Sequence, residues 1–238
     1  MKVAVGFLVA YDYALLKYAL PQVYDQASHI VLACDKDCRS FSGTPFNIDP
    51  EFLNWVTDFD KQGKIRWNRG DFYRPDLKPL EVETFTRNSL FDVLKEPMDW
   101  YIQLDSDEYF IDFKGFLEWL WLSTPAKCNA VRVPLKSVFR QSGEGFFCVG
   151  SLTEYVVVAV RSPHYVSTRH VYQEVVATAP HAVLHQSWAR PETEVKFKLS
   201  NWGHRDDLSA GAFFKSWKNC NSRNYRFYRH FHPLHPPL

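Results

Sequence analysis

The sequence predicts an α/β fold with a mostly parallel central sheet flanked by helices. Three observations carry that expectation. Apolar runs such as residues 2–9 are nearly continuous, as strands covered on both faces require. Between them lie segments whose apolar residues recur at helical spacing. Strands and helices alternate along the chain, which is the pattern of βαβ units.

The segment "MKVAVGFLVAYDY" carries one Lys and a short apolar run. A secretory leader needs a longer apolar region and a small-residue cleavage site, so this segment reads as the first buried strand. Asp12 is placed to cap a helix bearing Leu15, Leu16, Ala19 and Leu20, ended or kinked by Pro21. "HIVLAC" is the second strand, ending at Asp35, and residues 36–50 are a loop rich in Ser, Gly, Pro and Asp. "PEFLNWVTDF" starts a helix with Pro50 where a first turn tolerates it, and "KIRWN" is a third strand. From Leu80 to Leu94, Val82, Phe85, Ser89, Leu90, Val93 and Leu94 recur at i, i+3, i+7, i+8, i+11 and i+12, which marks a helix. Arg87 and Asn88 lie off that stripe. "DWYIQLDSDEYF" is the fourth strand, leading straight into Asp105, Asp107 and Glu108. "FKGFLEWLWL" is another helix, and "AVRVPL", "SLTEYVVVAV" and "HAVLH" are further strands. "SGEGFFCVG" lacks the GK[ST] of a phosphate loop and does not open a helix after the first strand, so it reads as a mobile loop. With no internal repeat or linker, residues 1–205 form one domain and 206–238 a C-terminal helix and basic, aromatic tail. Aromatic packing on the core with a solvated basic rim is the favoured reading of that tail.

The 238 residues are 46% apolar and 16% aromatic, ample for a sizeable core. A net charge of +1 gives no electrostatic reason to invoke nucleic acid or an anionic membrane. Five scattered cysteines do not make a disulfide framework, and "CDKDC" is neither CxxC nor a zinc-ribbon spacing. Free thiols in a reducing compartment are the expectation. No window approaches the roughly 20 apolar residues of a spanning helix, and there is no Asn-x-Ser/Thr sequon. These absences favour a soluble, cytoplasmic protein.

Ligand sites of parallel sheets form at the carboxyl ends of the strands, and Asp35, Asp105 and Asp107 all follow strand ends. An isolated buried carboxylate costs several kcal/mol or loses its charge. Two carboxylates one residue apart can jointly hold Mg²⁺ or Mn²⁺, which takes oxygen ligands from protein and substrate phosphates. The alternative is a solvated acidic turn.

The order "VAVGFLVAYDYALLKYAL", "HIVLACDKD", "TRNSL", "DWYIQLDSDEYF" resembles the nucleotide-sugar half of GT-A fold (nucleotide-diphospho-sugar transferase) glycosyltransferases, and is most similar to family-2-like enzymes. The resemblance covers residues 1–125 well and the acceptor half, 126–205, loosely. It implies that Asp35 contacts the base, that Arg87 and Asn88 lie near the nucleotide, and that the DxD carboxylates Asp105 and Asp107 bind ribose and metal, Asp107 being the stronger metal candidate. A C-terminal His is a further metal ligand in such enzymes. His185 matches that role and His204 is the rival. Lys196, Lys198 and Arg190 are candidates for the diphosphate, the other reading being a charged helix face. The implied activity is metal-dependent sugar transfer, with Mn²⁺ or Mg²⁺, from a UDP- or GDP-linked donor to a hydroxyl on a saccharide, lipid-linked sugar or protein.

An inverting transfer needs a carboxylate that deprotonates the acceptor. The family's familiar Glu-Asp pair is missing; inverting transfer is the expectation, and a retaining mechanism opens if no base can be placed near the anomeric carbon. Glu154, Glu174, Asp206 and Glu144 are candidates for the base, with Glu154 first because it lies near the start of a strand after a Gly-rich loop. A sugar nucleotidyltransferase would need a glycine-rich basic loop after the first strand, where "VAYDYALLK" has no glycine. A non-catalytic glycan- or nucleic-acid-binding protein would instead use the aromatic-basic tail for stacking.

Overall fold

Strand β1 (Val3–Leu8) is buried along its whole length and occupies the middle of the sheet. The computed structural model describes residues 1–143, 145–149, 154–172, 175–204 and 208–228. β2 (His29–Asp35), β3 (Ile65–Gly70) and β4 (Trp100–Asp105) complete a parallel block in the order β3-β2-β1-β4. β5 (Glu108–Phe110), β6 (Ala130–Ser142), β7 (Gly145–Cys148), β8 (Glu154–Val160), β9 (Val176–Thr178) and β10 (Val183–His185) extend the sheet. Among the described residues the path runs β3-β2-β1-β4-β8-β6-β10-β5, with β7 and β9 also pairing with β6. The second half is mixed: β8 is antiparallel to β4 and β6, whereas β10 is parallel to β6.

Helices α1 (Leu16–Val23), α2 (Pro50–Phe59) and α4 (Phe113–Leu122) cover one face, packing Leu16, Leu20, Phe52, Val56 and Phe116 on Val5, Phe7 and Ile102. Helix α3 (Pro79–Ser89) and the turn after it cover the other, with Leu90 and Phe91 against Ala4, Leu8 and Val31. α1 and α2 carry the chain outward from β1 to β3, and α3 carries it back to β4 on the far side of β1. The carboxyl ends of β1 and β4 therefore form a topological switch point, where open α/β sheets place their ligands. A smaller core lies beyond. There Trp188, Val195 and Leu199 of α5 (Glu192–Asn201) and its approach meet Phe213 and Trp217 of α6 (Ala210–Asn219) against Phe139 of β6. The described part of the tail packs on it, with Tyr225 stacked on Phe147 at 5.0 Å.

Several local expectations change. Asp12 makes no capping bond, and of the two readings of Pro21, an end or a kink, its place inside α1 excludes the end. Leu16, Ala19, Leu20 and Val23 are all buried there, and that burial outweighs one forfeited backbone bond. The residues around Gly145 are not a loose loop but β7, hairpinned onto β6 through a turn at Gly143 with φ +58°. α3 ends at Ser89, and its buried face is Val82, Glu83, Thr86 and Arg87 while Phe85 is partly exposed. The apolar stripe misplaced that face because a buried Glu–Arg pair carries no hydrophobic signal. Among the described residues no helix is long and apolar enough to cross a membrane.

Gly6 sits where the turn after α3 presses on the sheet. A Cβ there would meet Leu90 Cδ2 at 2.5 Å and Phe91 Cζ at 2.7 Å. Gly6→Ala should therefore force Leu90 and Phe91 off β1 and destabilise the protein by about 1–3 kcal/mol, the usual cost of overpacking, measured as a lower urea midpoint.

Candidate functional site

The acidic stretch after β4 folds into a tight turn that leads into β5. Glu108 organises it: its Oε2 accepts the Asp105 backbone N–H at 3.0 Å, and the residue is fully buried. The Ser106 hydroxyl donates to the Leu8 carbonyl at 2.7 Å, tying the turn to the end of β1. Leu8 is also the register partner of Asp105. The two aspartates thus stand at the switch point, each in its own set of cations.

Asp105 faces α3. Arg87 Nη2 donates to Asp105 Oδ1 at 2.7 Å and Oδ2 at 3.0 Å, and Arg87 also holds Glu83 Oε1 through Nε (3.1 Å) and Nη2 (2.8 Å). Arg169 approaches Asp105 Oδ2 at 3.6 Å and clamps Glu108 with both nitrogens, Nη1 to Oε2 at 2.8 Å and Nη2 to Oε1. Arg169 comes from a tight turn at 167–170, in which Thr168 adopts φ +47° and donates its N–H to Thr84 Oγ1 at 2.8 Å. A β-branched residue in that region is strained. Here the strain accompanies insertion of a guanidinium between two carboxylates.

Asp107 faces the second half of the chain. Its Oδ2 accepts from Lys198 Nζ at 2.8 Å and from Arg190 Nη2, and lies 3.5 Å from His185 Nε2. Arg190 Nη2 also donates to Asp12 Oδ2 at 3.0 Å. His185 ends β10, while Lys198 lies on the face of α5 that also buries Val195 and Leu199. α5 crosses the strand ends, with Phe197 against Tyr11 at 4.9 Å and Asn201 Oδ1 accepting from Ser40 Oγ at 3.2 Å. Gly203 then passes so close to Glu83 that a Cβ would meet its Oε2 at 2.5 Å.

Burial alone would raise both aspartates, but the cations win. Attraction from Lys198, His185 and Arg190 holds the Asp107 carboxyl well below the usual carboxylate range. Arg87 and Arg169 hold Asp105 below its ordinary value, while Asp107 nearby works against them. Asp12, Glu83, Asp105, Asp107 and Glu108 are thus opposed by Arg87, Arg169, Arg190 and Lys198, with His185 beside them.

Next to this cluster a narrow cleft of about 10 Å³ opens at the carboxyl ends of β1, β2 and β3. Its walls include Leu8, Asp35, Arg39, Phe41, Tyr73 and Thr86. Asp35 lines the cleft but spends its carboxylate on the backbone. Oδ1 accepts from Asp37 (3.0 Å) and Arg39 (3.2 Å), and Oδ2 from Phe72 (3.1 Å) and Tyr73 (2.9 Å). Those four bonds occupy the lone pairs of a carboxylate, so Asp35 shapes both cleft loops.

The remaining expected residues are dispersed. Asn88 is bonded on both sides to the Tyr165 backbone (2.9 and 2.7 Å) and clips α3 to the loop after β8. Lys196 is exposed on the outer face of α5, paired with Glu192 at 2.8 Å. His204, past the end of α5, packs its ring on Trp202 at 5.0 Å. Glu154 starts β8, half-buried, with Ser137 Oγ 3.5 Å from its Oε2. Glu144, Glu174 and Asp206 lie outside the described residues. Sequence reasoning missed Arg169, Glu83 and the pairing of Asp12. Only the i, i+4 spacing of Glu83 and Arg87 was a readable signal.

The donor set does not fit a divalent cation. Among the described residues no group of three or more His, Cys, Asp or Glu could hold a metal ion. Asp107 Oδ2 already carries two cationic heads, and an ion bound there must displace them or sit beside them. Like unit charges about 4 Å apart near a protein surface repel by about 4 kcal/mol.

No protein-family model matches the sequence, and neither does any curated protein. Among solved structures, S. aureus TarS 1-349 aligns at TM-score 0.47 and 10% identity, over 96% of this chain and 73% of that one. The mannosyltransferase PcManGT from Pyrobaculum calidifontis, in complex with GDP-Man and Mn²⁺, aligns at TM-score 0.48 and 10% identity, over 92% and 65%. The 4-diphosphocytidyl-2C-methyl-D-erythritolsynthase from Anaerococcus prevotii aligns at TM-score 0.43 and 13% identity, over 76% and 87%. Likeness this distant leaves function to the chain's own residues.

Asp107→Asn leaves Lys198 buried with no compensating charge and Arg190 with Asp12 alone, which should cost about 3–5 kcal/mol at neutral pH. Because the native carboxyl titrates below its unfolded value, its contribution is complete above about pH 4 and is lost as pH falls through the depressed native value. The gap between wild type and Asp107→Asn in urea unfolding should therefore narrow steadily below about pH 4.

Proposed function

We propose that the chain transfers a sugar from a UDP- or GDP-linked donor to a hydroxyl acceptor, within a GT-A arrangement. One observation carries the reading: an aromatic-walled cleft and a cluster of buried cations lie side by side at the β1/β4 switch point. A nucleoside and its diphosphate present that same pair of surfaces, one flat and apolar and one anionic. Tyr73 and Phe41 offer the base a ring to stack on, and Asp105, the most exposed carboxylate of the DSD turn, stands nearest the cleft through its register partner Leu8. Arg87 and Asn88 support this from behind by holding Asp105 and the loop after β8.

In the transfer, the bond from the anomeric carbon to the diphosphate oxygen breaks, and its electron pair stays on the departing diphosphate. The acceptor oxygen bonds to that carbon, and its proton goes to a base. Glu154 remains the candidate base, since its carboxylate is half-buried and lies beside Ser137, the register partner of His185. Nucleotidyl transfer is less well supported, because Val9–Tyr13 supplies no glycine-rich basic loop after β1.

A screen of UDP- and GDP-sugars tests the reading. One donor should raise the melting temperature and be hydrolysed slowly to free sugar and nucleoside diphosphate. Glu154→Gln should lower turnover by about 10²–10⁴-fold, the range for a lost general base, with donor affinity kept. Stabilisation by nucleoside triphosphates with release of pyrophosphate would favour nucleotidyl transfer instead.

A further inference from the structure

Lys198 and Arg190 stand where the DSD sequence would place a divalent ion. We propose that these two side chains replace that ion, so that the diphosphate of the donor is bound by protein cations and without metal. The inference rests on the nucleotide-sugar reading above.

Four observations support it. First, Asp107, the residue a metal would need, is 2% exposed and holds Lys198 Nζ at 2.8 Å together with Arg190 Nη2. Second, Asp105 is held on both oxygens by Arg87. Third, the cations are built in and not carried on flexible surface chains: Arg87, Arg190 and Lys198 are 2%, 7% and 5% exposed. Trp188 supports Lys198 from beneath, with its ring centroid 5.4 Å from Nζ. Fourth, the cluster keeps donor capacity in reserve. Arg87 Nη1 and Arg190 Nε are buried without a hydrogen-bond partner, as is His185 Nδ1. Buried donors left unpaired are costly, which points to a ligand that completes them. A lysine ammonium has three N–H donors, and Asp107 takes one of those on Lys198.

The carboxylates then have a different task from the one their spacing suggests. Asp107 and Asp12 hold Lys198 and Arg190 in place, and the diphosphate takes the N–H donors that these carboxylates leave free. As the bond to the sugar breaks, negative charge grows on the diphosphate, and fixed cations stabilise it without reorganising. Lys198 arrives on α5, so donor binding and the seating of α5 over the strand ends are linked.

The test is calorimetric titration of UDP, GDP, UDP-GlcNAc and GDP-mannose into wild type, Lys198→Met and Lys198→Arg, each with excess EDTA and again with Mn²⁺. At least one nucleotide should bind wild type equally well in EDTA. Lys198→Met should bind it about tenfold or more weakly, the loss of one charge-assisted contact, and Lys198→Arg should recover most of that. Binding that appears only with Mn²⁺ overturns the inference and leaves the transferase reading standing. Binding in EDTA that Lys198→Met does not weaken also overturns it. No nucleotide binding under either condition overturns the transferase reading, and the inference with it. The EDTA comparison on wild type remains decisive if Lys198→Met does not fold.

Discussion

A carboxylate buried where Asp107 lies would, unpaired, cost several kcal/mol or give up its charge. Lys198 and Arg190 prevent both outcomes, and much of the surrounding architecture follows from bringing them there. Lys198 requires α5 to cross the ends of the parallel strands, and Arg190 requires the approach to α5 to reach back to Asp12 after β1. The contacts of Phe197 with Tyr11, Asn201 with Ser40 and Gly203 with Glu83 run along the same crossing. The two halves of the chain are thus joined by charge as well as by packing.

The same logic repeats on the other side of the turn. Asp105 and Glu108 are matched by Arg87 and Arg169, and Glu83 completes that set. Such pairs rarely add net stability over an apolar core of equal volume. Their placement at a topological switch point, beside a cleft, supports the proposal of a site that binds a diphosphate.

The parallel block could be read from the chain because its information is local. Continuous apolar runs identify β1, β2 and β4, and alternation with helices makes them parallel neighbours. The position of the DSD turn follows from there. What sequence could not supply was the partner of each charge. Arg169 sits in "STRHVY", where nothing local marks it, and it gains its role only when the 167–170 turn delivers it to Glu108. Asp35 reads as a free carboxylate at a strand end, yet four backbone N–H groups from two loops consume it. Lys196 and Lys198 look alike in sequence. Helical periodicity separates them, since Val195, Lys198 and Leu199 share the buried face while Lys196 points out. β5 and β9, each three residues long, fall below the length at which alternation is visible.

The central claim is that Asp107 is bound to the protein's own cations, and a double-mutant cycle addresses it most directly. Unfolding free energies of wild type, Asp107→Asn, Lys198→Met and the double variant isolate the coupling between the two side chains. A coupling of about 1–3 kcal/mol, with the double variant less destabilised than the sum of the singles, is the predicted result. Additivity within about 0.5 kcal/mol would mean that the two groups do not depend on each other, and would contradict the account.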